Sequence, residues 1–244
     1  MYLNVQALVL RVTDYNDRDA LLTLLTREQG KLTVKVRGLR RKNSPLSAPC
    51  QLLAYGDFTL FEYRGMYTVN EAAAIELFSD LRRDLQKLSL GTYFAQSAGV
   101  IAQEDLPNPE LLSLVLNCLH ALNRLQLPEE MVKAVYELRC ACIAGYTPDL
   151  GGCRSCGDTN TAYFDLSGGT LLCGKCPGDG IRLPVSGSIL EAMRYITYCD
   201  QRRLFSFRIG EESLQQLSAL TEAYLTTQLE QGFSTLDFYK SLLI

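Results

Sequence analysis

The sequence predicts an α+β, multidomain chain. A small β-barrel comes first, and an α-helical domain carrying a four-cysteine zinc finger follows. Three observations lead there. Residues 1–75 alternate apolar and polar side chains in short runs broken by turn residues. From about Leu85 leucines recur at three- and four-residue steps. Between the later helical stretches stand two Cys-x-x-Cys pairs in a glycine-rich segment.

Five strands are expected at Val5–Val12, Ala20–Thr26, Lys31–Gly38, Leu52–Tyr63 and Met66–Ala73. All are rich in β-branched, leucine and aromatic residues and bounded by polar or glycine turns. In the third, Leu32, Val34 and Val36 alternate with Thr33, Lys35 and Arg37. One face is therefore apolar and the other basic. Five such strands in this length suit a closed barrel of the OB-fold type, with an open five-stranded sheet as the alternative.

The period turns helical from about Glu76. Leu85, Leu88, Tyr93, Ala95, Ala98 and Ile101 form one stripe, with Asp84 near its start. Pro109 opens a second helix bearing Leu112, Val115, Leu116, Leu119 and Leu122. Pro128-Glu129-Glu130 suits the first turn of a third, because proline costs no helical hydrogen bond there and carboxylates favour the positive helix end. Gly145 is placed to cap it. Two more helical patterns run from about Ser188 to Tyr198 and from about Glu211 to Gln231. The domain boundary expected from these periods falls between residues 78 and 79.

Residues 151–180 hold eight glycines and four cysteines but few core-forming side chains. Cys153-x2-Cys156-x16-Cys173-x2-Cys176 has the spacing of a zinc site, with the intervening chain returning as a short hairpin. Four thiolates complete a tetrahedron and leave no position for water or substrate, so the expected zinc is structural. The competing reading is four reduced thiols in a degenerate finger. Cys50, Cys118, Cys140, Cys142 and Cys199 lack this spacing and read as small buried hydrophobes.

Lys31, Lys35, Arg37, Arg40, Arg41 and Lys42 are the six cations of residues 31–45, a span with no acid. A strand feeding a Gly- and Pro-bounded basic loop suits a nucleic-acid backbone, since the Arg fork makes two parallel hydrogen bonds to phosphate. A solvated basic loop is the plain alternative. Tyr55, Phe58, Phe61 and Tyr63 could stack on bases, although the barrel core is expected to claim most of them. Arg202, Arg203 and Arg208 form a weaker patch, read as an inter-helix loop anchored by Phe205 and Phe207.

Charge follows the same division. Residues 1–50 carry nine Lys/Arg and four Asp/Glu, net +5, against 15 and 23 in the rest, net −8. Such asymmetry suggests an anion-binding face on an acidic body. No apolar run approaches the roughly 20 residues of a bilayer span, and no secretory leader is expected. The expected setting is the cytosol, with no membrane partner. Catalytic signals are sparse. His120, the single histidine, reads as a boundary residue of the second helix, and no phosphate-loop or nucleophile-elbow motif occurs.

Several segments resemble the RecO family of bacterial DNA repair proteins. Ala7–Arg11, Tyr15-x-Asp17-x-Asp19, Leu24-Leu25-Thr26-x3-Gly30-Lys31 and Arg37-Gly38-x-Arg40-Arg41-x-x-Ser44 carry the N-terminal likeness. Glu137-Leu138-Arg139, Gly145-Tyr146-x-Pro148-x-Leu150 and the first cysteine pair with Gly157 carry the most specific part. Gly168-Gly169, Pro184-Val185-Ser186 and Lys240-Ser241-Leu242 extend it. The resemblance implies an N-terminal OB-fold and a helical domain with the zinc finger. It also implies a non-enzymatic recombination mediator that binds single- and double-stranded DNA and anneals complementary strands. The implied partners are RecR and single-stranded DNA-binding protein, with RecF and RecA beyond them. The alternative is a protein-interaction adaptor with only incidental DNA contact.

Overall fold

The computed structural model describes residues 1–178 and 180–243. They form two compact units. One comprises Met1–Leu125 together with the chain from Phe233 onward, and the other Gln126–Gly232.

The first unit is built on β1 (Tyr2–Asp14), β2 (Ala20–Thr26), β3 (Lys31–Val36), β4 (Tyr55–Tyr63) and β5 (Met66–Glu76). They close in the order β1-β2-β3-β5-β4, with β3 and β5 parallel. β1 serves both ends of the closure, pairing with β4 over Tyr2–Leu8 and with β2 over Ala7–Asp14. A bulge between Val9 and Arg11 lets it turn from one partner to the other. Inward side chains such as Val9, Leu22, Leu24, Val34, Phe58 and Leu60 fill the barrel. Gly56 is needed where β4 crosses close to β5, because a Cβ there would lie 2.4 Å from the Ala73 carbonyl oxygen.

Two expected strands are shorter than the periodicity suggests. β3 stops at Val36 because Gly38 is left-handed (φ +66°) and begins a turn. β4 starts at Tyr55 because Leu53 is left-handed (φ +63°) inside a turn whose N–H bonds Val9. β5 runs on to Glu76, so helical structure begins later than the sequence suggests.

Among the described residues this unit also holds a short 3-10 turn at Leu81–Arg83 and the helices α1 (Leu85–Ile101), α2 (Pro109–Arg124) and α6 (Ser234–Ser241). Asp84 caps α1 by accepting from the N–H groups of Gln86 and Lys87. Asn108 caps α2, with Pro109 in its first turn. α6 escapes the sequence reading. It is one short stretch after Phe233, held by Leu236 and Tyr239 in the core and by Phe233 against Tyr93, ring centroids 5.5 Å apart. His120 is exposed rather than at a half-buried boundary.

The second unit contains α3 (Glu129–Ile143), α4 (Gly187–Tyr198) and α5 (Glu211–Gln228), plus a small sheet ordered β6-β8-β7-β9. Its strands are β6 (Asp149–Cys153), β7 (Tyr163–Asp165), β8 (Thr170–Leu172) and β9 (Arg182–Pro184). Gly145 (φ +95°) ends α3 as expected. α5 ties down the sheet. Tyr224 donates to the Tyr146 carbonyl at 2.9 Å and packs edge-on against Phe164 at 5.1 Å.

α3 and α5 share a buried charge cluster. Lys133 lies 3.1 Å from Glu137 and 2.8 Å from Glu222, and also donates to the Ser218 carbonyl. Thr221 donates to the Glu137 carboxylate at 2.9 Å. Burial works to lower the Lys133 pKa, but Glu137 and Glu222 outweigh it and raise it above its ordinary value. Burial raises the Glu137 carboxyl above the usual range, against the pull of Lys133. No helix among the described residues is long and apolar enough to cross a membrane.

Candidate nucleic-acid interface and metal centre

The basic loop is a built platform rather than a slack connection. After β3 the chain winds through successive turns, closed by Arg41 N–H to Gly38, Ser44 N–H to Arg41 and Ser47 N–H to Ser44. Leu39 and Cys50 are buried in the barrel core, and Leu46 packs against it. These apolar anchors turn Arg37, Arg40, Arg41 and Lys42 outward, and all four are exposed.

A second brace comes from the β1–β2 turn. The Asn16 side-chain oxygen accepts from the N–H groups of Arg18 and Asp19, which orients the Asp19 carboxylate. Asp19 then accepts from the Gly38 N–H at 2.9 Å and pairs with Lys35 at 3.1 Å. The Gly38 N–H, with Lys35 adding, holds the Asp19 carboxyl down to about 2. Its contribution is therefore present above the ordinary carboxylate pKa of about 4 and lost as pH falls through about 2. Asp19→Asn should speed amide exchange of Gly38 about tenfold at neutral pH, leaving the barrel amides as they were. Unchanged Gly38 exchange would show that the brace does not hold the loop.

The six predicted cations fall into three groups. Lys31 stands at the other end of β3 from the loop, about 20 Å away along the strand, and its ammonium donates to the Gly99 carbonyl at 3.0 Å. Lys35 is held by Asp19 and lies over the Tyr15 ring at 4.4 Å, and Arg40 is paired with Asp14. Arg37, Arg41 and Lys42 make no ion pair among the described residues. With Pro45 and Leu46 they line an open groove of about 270 Å³. Three exposed cations around one groove can receive successive phosphates.

The sequence reading missed two contributors. Arg18, which is exposed, reaches this edge because its carbonyl accepts from the Arg40 N–H. Leu39 fixes the platform, and its only sequence signal is an apolar side chain amid cations. Of the four candidate stacking aromatics, Phe58 is in the core and Tyr55 is half-buried, donating to Gln6. Phe61 and Tyr63 are exposed, contrary to the expectation that the core would claim most.

In the second unit, Cys153, Cys156, Cys173 and Cys176 converge. All four sulfurs lie within 4.8 Å of one another, and Cys156 and Cys173 are 3.7 Å apart. A tetrahedral metal with bonds of about 2.3 Å to sulfur requires sulfur separations of about 3.8 Å, so the cluster is close to metal-binding size. The knuckles are set by Gly157 (φ +75°), whose N–H donates to the Cys153 carbonyl, and by the β7–β8 hairpin returning the chain to Cys173. The four cysteines sit beside the strands of this unit rather than on its helices.

Backbone N–H groups, that of Cys173 foremost, bring the Cys153 thiol down to about 6, and the Lys175 N–H lowers Cys173. Cys176 is pushed up to about 12 by its neighbours, Cys156 foremost. A cation in the middle lets all four remain thiolates. Cys153, Leu172 and Cys173 form a small buried cluster beside the sulfurs, with Tyr163 and Cys176 against it. Arg202, Arg203 and Arg208, also in this unit, are exposed. Phe207 packs on Tyr195, while Phe205 is half-buried.

The chain matches known proteins along nearly its whole length. Residues 1–78 match the family profile "Recombination protein O N terminal", and residues 82–237 match "Recombination protein O C terminal". The DNA repair protein RecO of Acetivibrio thermocellus is 32% identical over 99% of this chain and 97% of its own length. That of Alkaliphilus metalliredigens is 28% identical over 99% and 100%, and that of Bacillus subtilis 29% identical over 92% and 88%. With an OB-like closed barrel ahead of the helical region and both profiles matched in order, the chain belongs to the RecO family of DNA repair proteins.

Proposed function

We propose that this chain is a non-enzymatic DNA-binding and strand-annealing mediator of homologous recombination. It acts in the cytoplasm, at the nucleoid. In this reading it works with RecR to load RecA on single strands coated by single-stranded DNA-binding protein, with RecF as a further partner. The observation that carries it is the platform of Arg37, Arg41 and Lys42, held outward on a braced loop of the barrel. Phosphate contact of this kind lowers the repulsion between two strands while leaving base edges free to pair. That suffices for annealing and requires no bond to be made or broken. Four cysteines of this size and spacing favour Zn2+ as a structural ion. They would hold it as thiolates, clamping the two Cys-x-x-Cys turns together beside the small sheet.

Arg37→Ala/Arg41→Ala/Lys42→Ala tests the reading. Each lost phosphate contact removes about 0.7 from the salt slope on single strands, so the slope should flatten by about 2 and affinity at about 0.1 M salt should fall roughly a hundredfold. Fluorescence anisotropy across a salt series measures both. A triple variant with unchanged affinity and slope would defeat the assignment. The paired Arg40, replaced alone, should cost less than any of these three.

A further inference from the structure

Strand register places a second kind of binding residue on the barrel. Lys35 pairs across to Thr68, Thr68 to Phe61 and Phe61 to Tyr2. Residues directly opposite in a sheet share a face, and Lys35, Thr68, Phe61 and Tyr2 all alternate with core-facing neighbours. One row thus crosses the outside of four strands, about 14 Å from Lys35 to Tyr2 at the usual strand spacing. Tyr2 is 62% exposed and Phe61 40%, with ring centroids 5.4 Å apart. Beside them at the β4–β5 turn, Tyr63 is 60% exposed, with the Arg64 guanidinium 5.2 Å from its ring. At the other end Tyr15, also exposed, lies under Lys35.

Large exposed rings clustered on one surface mark an interaction site. The surroundings select the occupant. At the β4–β5 turn Tyr63 stands beside the exposed Arg64 guanidinium, a ring and a cation in a pattern that suits alternating bases and phosphates, while the Lys35 ammonium over Tyr15 is already paired with Asp19. Further along β4 the surface becomes acidic, with Asp57 and Glu28 lining one depression. A polyanion is therefore directed across the strands toward β3 and the basic loop that follows it rather than along β4. We infer that Tyr2, Phe61 and Tyr63 form a base-stacking edge that engages single-stranded DNA and not duplex. This rests on the proposed DNA-binding role and deepens it. The loop grips phosphates of either form, while this edge selects strands whose base faces are free.

The test uses the full chain with an oligothymidylate of about 20 residues, longer than one OB-fold's span, the matching duplex, and an abasic oligomer of equal length. Tyr2→Ala/Phe61→Ala/Tyr63→Ala should weaken oligothymidylate binding at least tenfold, by about the loss of one stacked base or more. Duplex affinity and the salt slope should stay as in the wild type. Wild type on the abasic strand should bind about as weakly as the variant on oligothymidylate. Phe61→Trp provides a reporter in a chain without tryptophan. Its emission should be quenched by oligothymidylate and not by duplex. Equal quenching by both, or none, overturns the inference. So does a triple variant that keeps wild-type single-strand affinity while the Arg37/Arg41/Lys42 variant loses it; in that outcome the DNA-binding reading itself survives. If the wild type self-associates and the aromatic variant is monomeric with unchanged single-strand affinity, the edge joins two copies of the chain, and the inference again fails. Wild type that binds neither form defeats both readings.

Discussion

Lys133→Met is expected to destabilise the second unit by about 3–5 kcal/mol, the usual consequence of leaving a buried charge without its partner. Lys133 satisfies Glu137, which is completely buried, and Glu222, which is partly open to water. Without the ammonium, Glu137 loses its ion-pair partner and keeps the Thr221 hydrogen bond. Burial already raises the Glu137 carboxyl, and removal of Lys133 raises it further. The sign with pH follows. A folded-state carboxyl above its unfolded value takes up a proton on folding, so stability falls as pH rises through that interval. The deficit of Lys133→Met should therefore shrink as the pH is lowered from 8 toward about 5. Lys133→Met/Glu137→Leu should recover most of the loss, because an apolar pair replaces an ion pair that mainly offset its own desolvation. Urea denaturation at several pH values measures all three. A single variant within about 1 kcal/mol of wild type at pH 8 would show that the cluster is wetter or looser than its geometry implies.

Cys153→Ser/Cys156→Ser should abolish stoichiometric zinc and lower the melting temperature of the second unit by on the order of 10 °C. Serine leaves two oxygens that are poor partners for the ion, and only one pair of thiolates remains. Chelation of the wild type should reproduce the effect, and added Zn2+ should reverse it. Metal analysis together with calorimetry checks the claim. Full zinc content with two cysteines gone would overturn the ligand set, and an unchanged melting temperature would overturn the structural role. DNA affinity carried by Arg37, Arg41 and Lys42 should persist in this variant, which separates the metal's task from that of the loop.

The barrel was legible because a half-buried strand writes its geometry locally. In β3, Leu32, Val34 and Val36 alternate with polar neighbours, and that alternation needs no distant information. The convergence of the four cysteines was legible because each pair is local and the two pairs share one spacing. Less readable was which cations are free. Lys35 is neutralised by Asp19, Arg40 by Asp14, and Lys31 is turned to the Gly99 carbonyl. Those partners are 16, 26 and 68 positions away, and only the β1–β2–β3 strand pairing and the packing of α1 bring them near. Exposure of Phe61 and Tyr63 was hidden for a related reason. Alternation gives two faces, but which of them meets the core depends on register with β1 and β5. α6 was missed because eight residues contain too few turns for a clear stripe, and no side chain caps its start.

The first compact unit is discontinuous in the chain. Its barrel and first two helices end at Leu125, yet α6, with Phe233 against Tyr93, belongs to it and follows 107 residues of the other unit. On the ribosome, those intervening residues emerge before α6 does. At roughly 5–20 residues per second this leaves the Tyr93 surface uncovered for several seconds of synthesis. The barrel and its first two helices are therefore made well before α6, and the late helix acts as a latch, set only after the intervening unit has been synthesised.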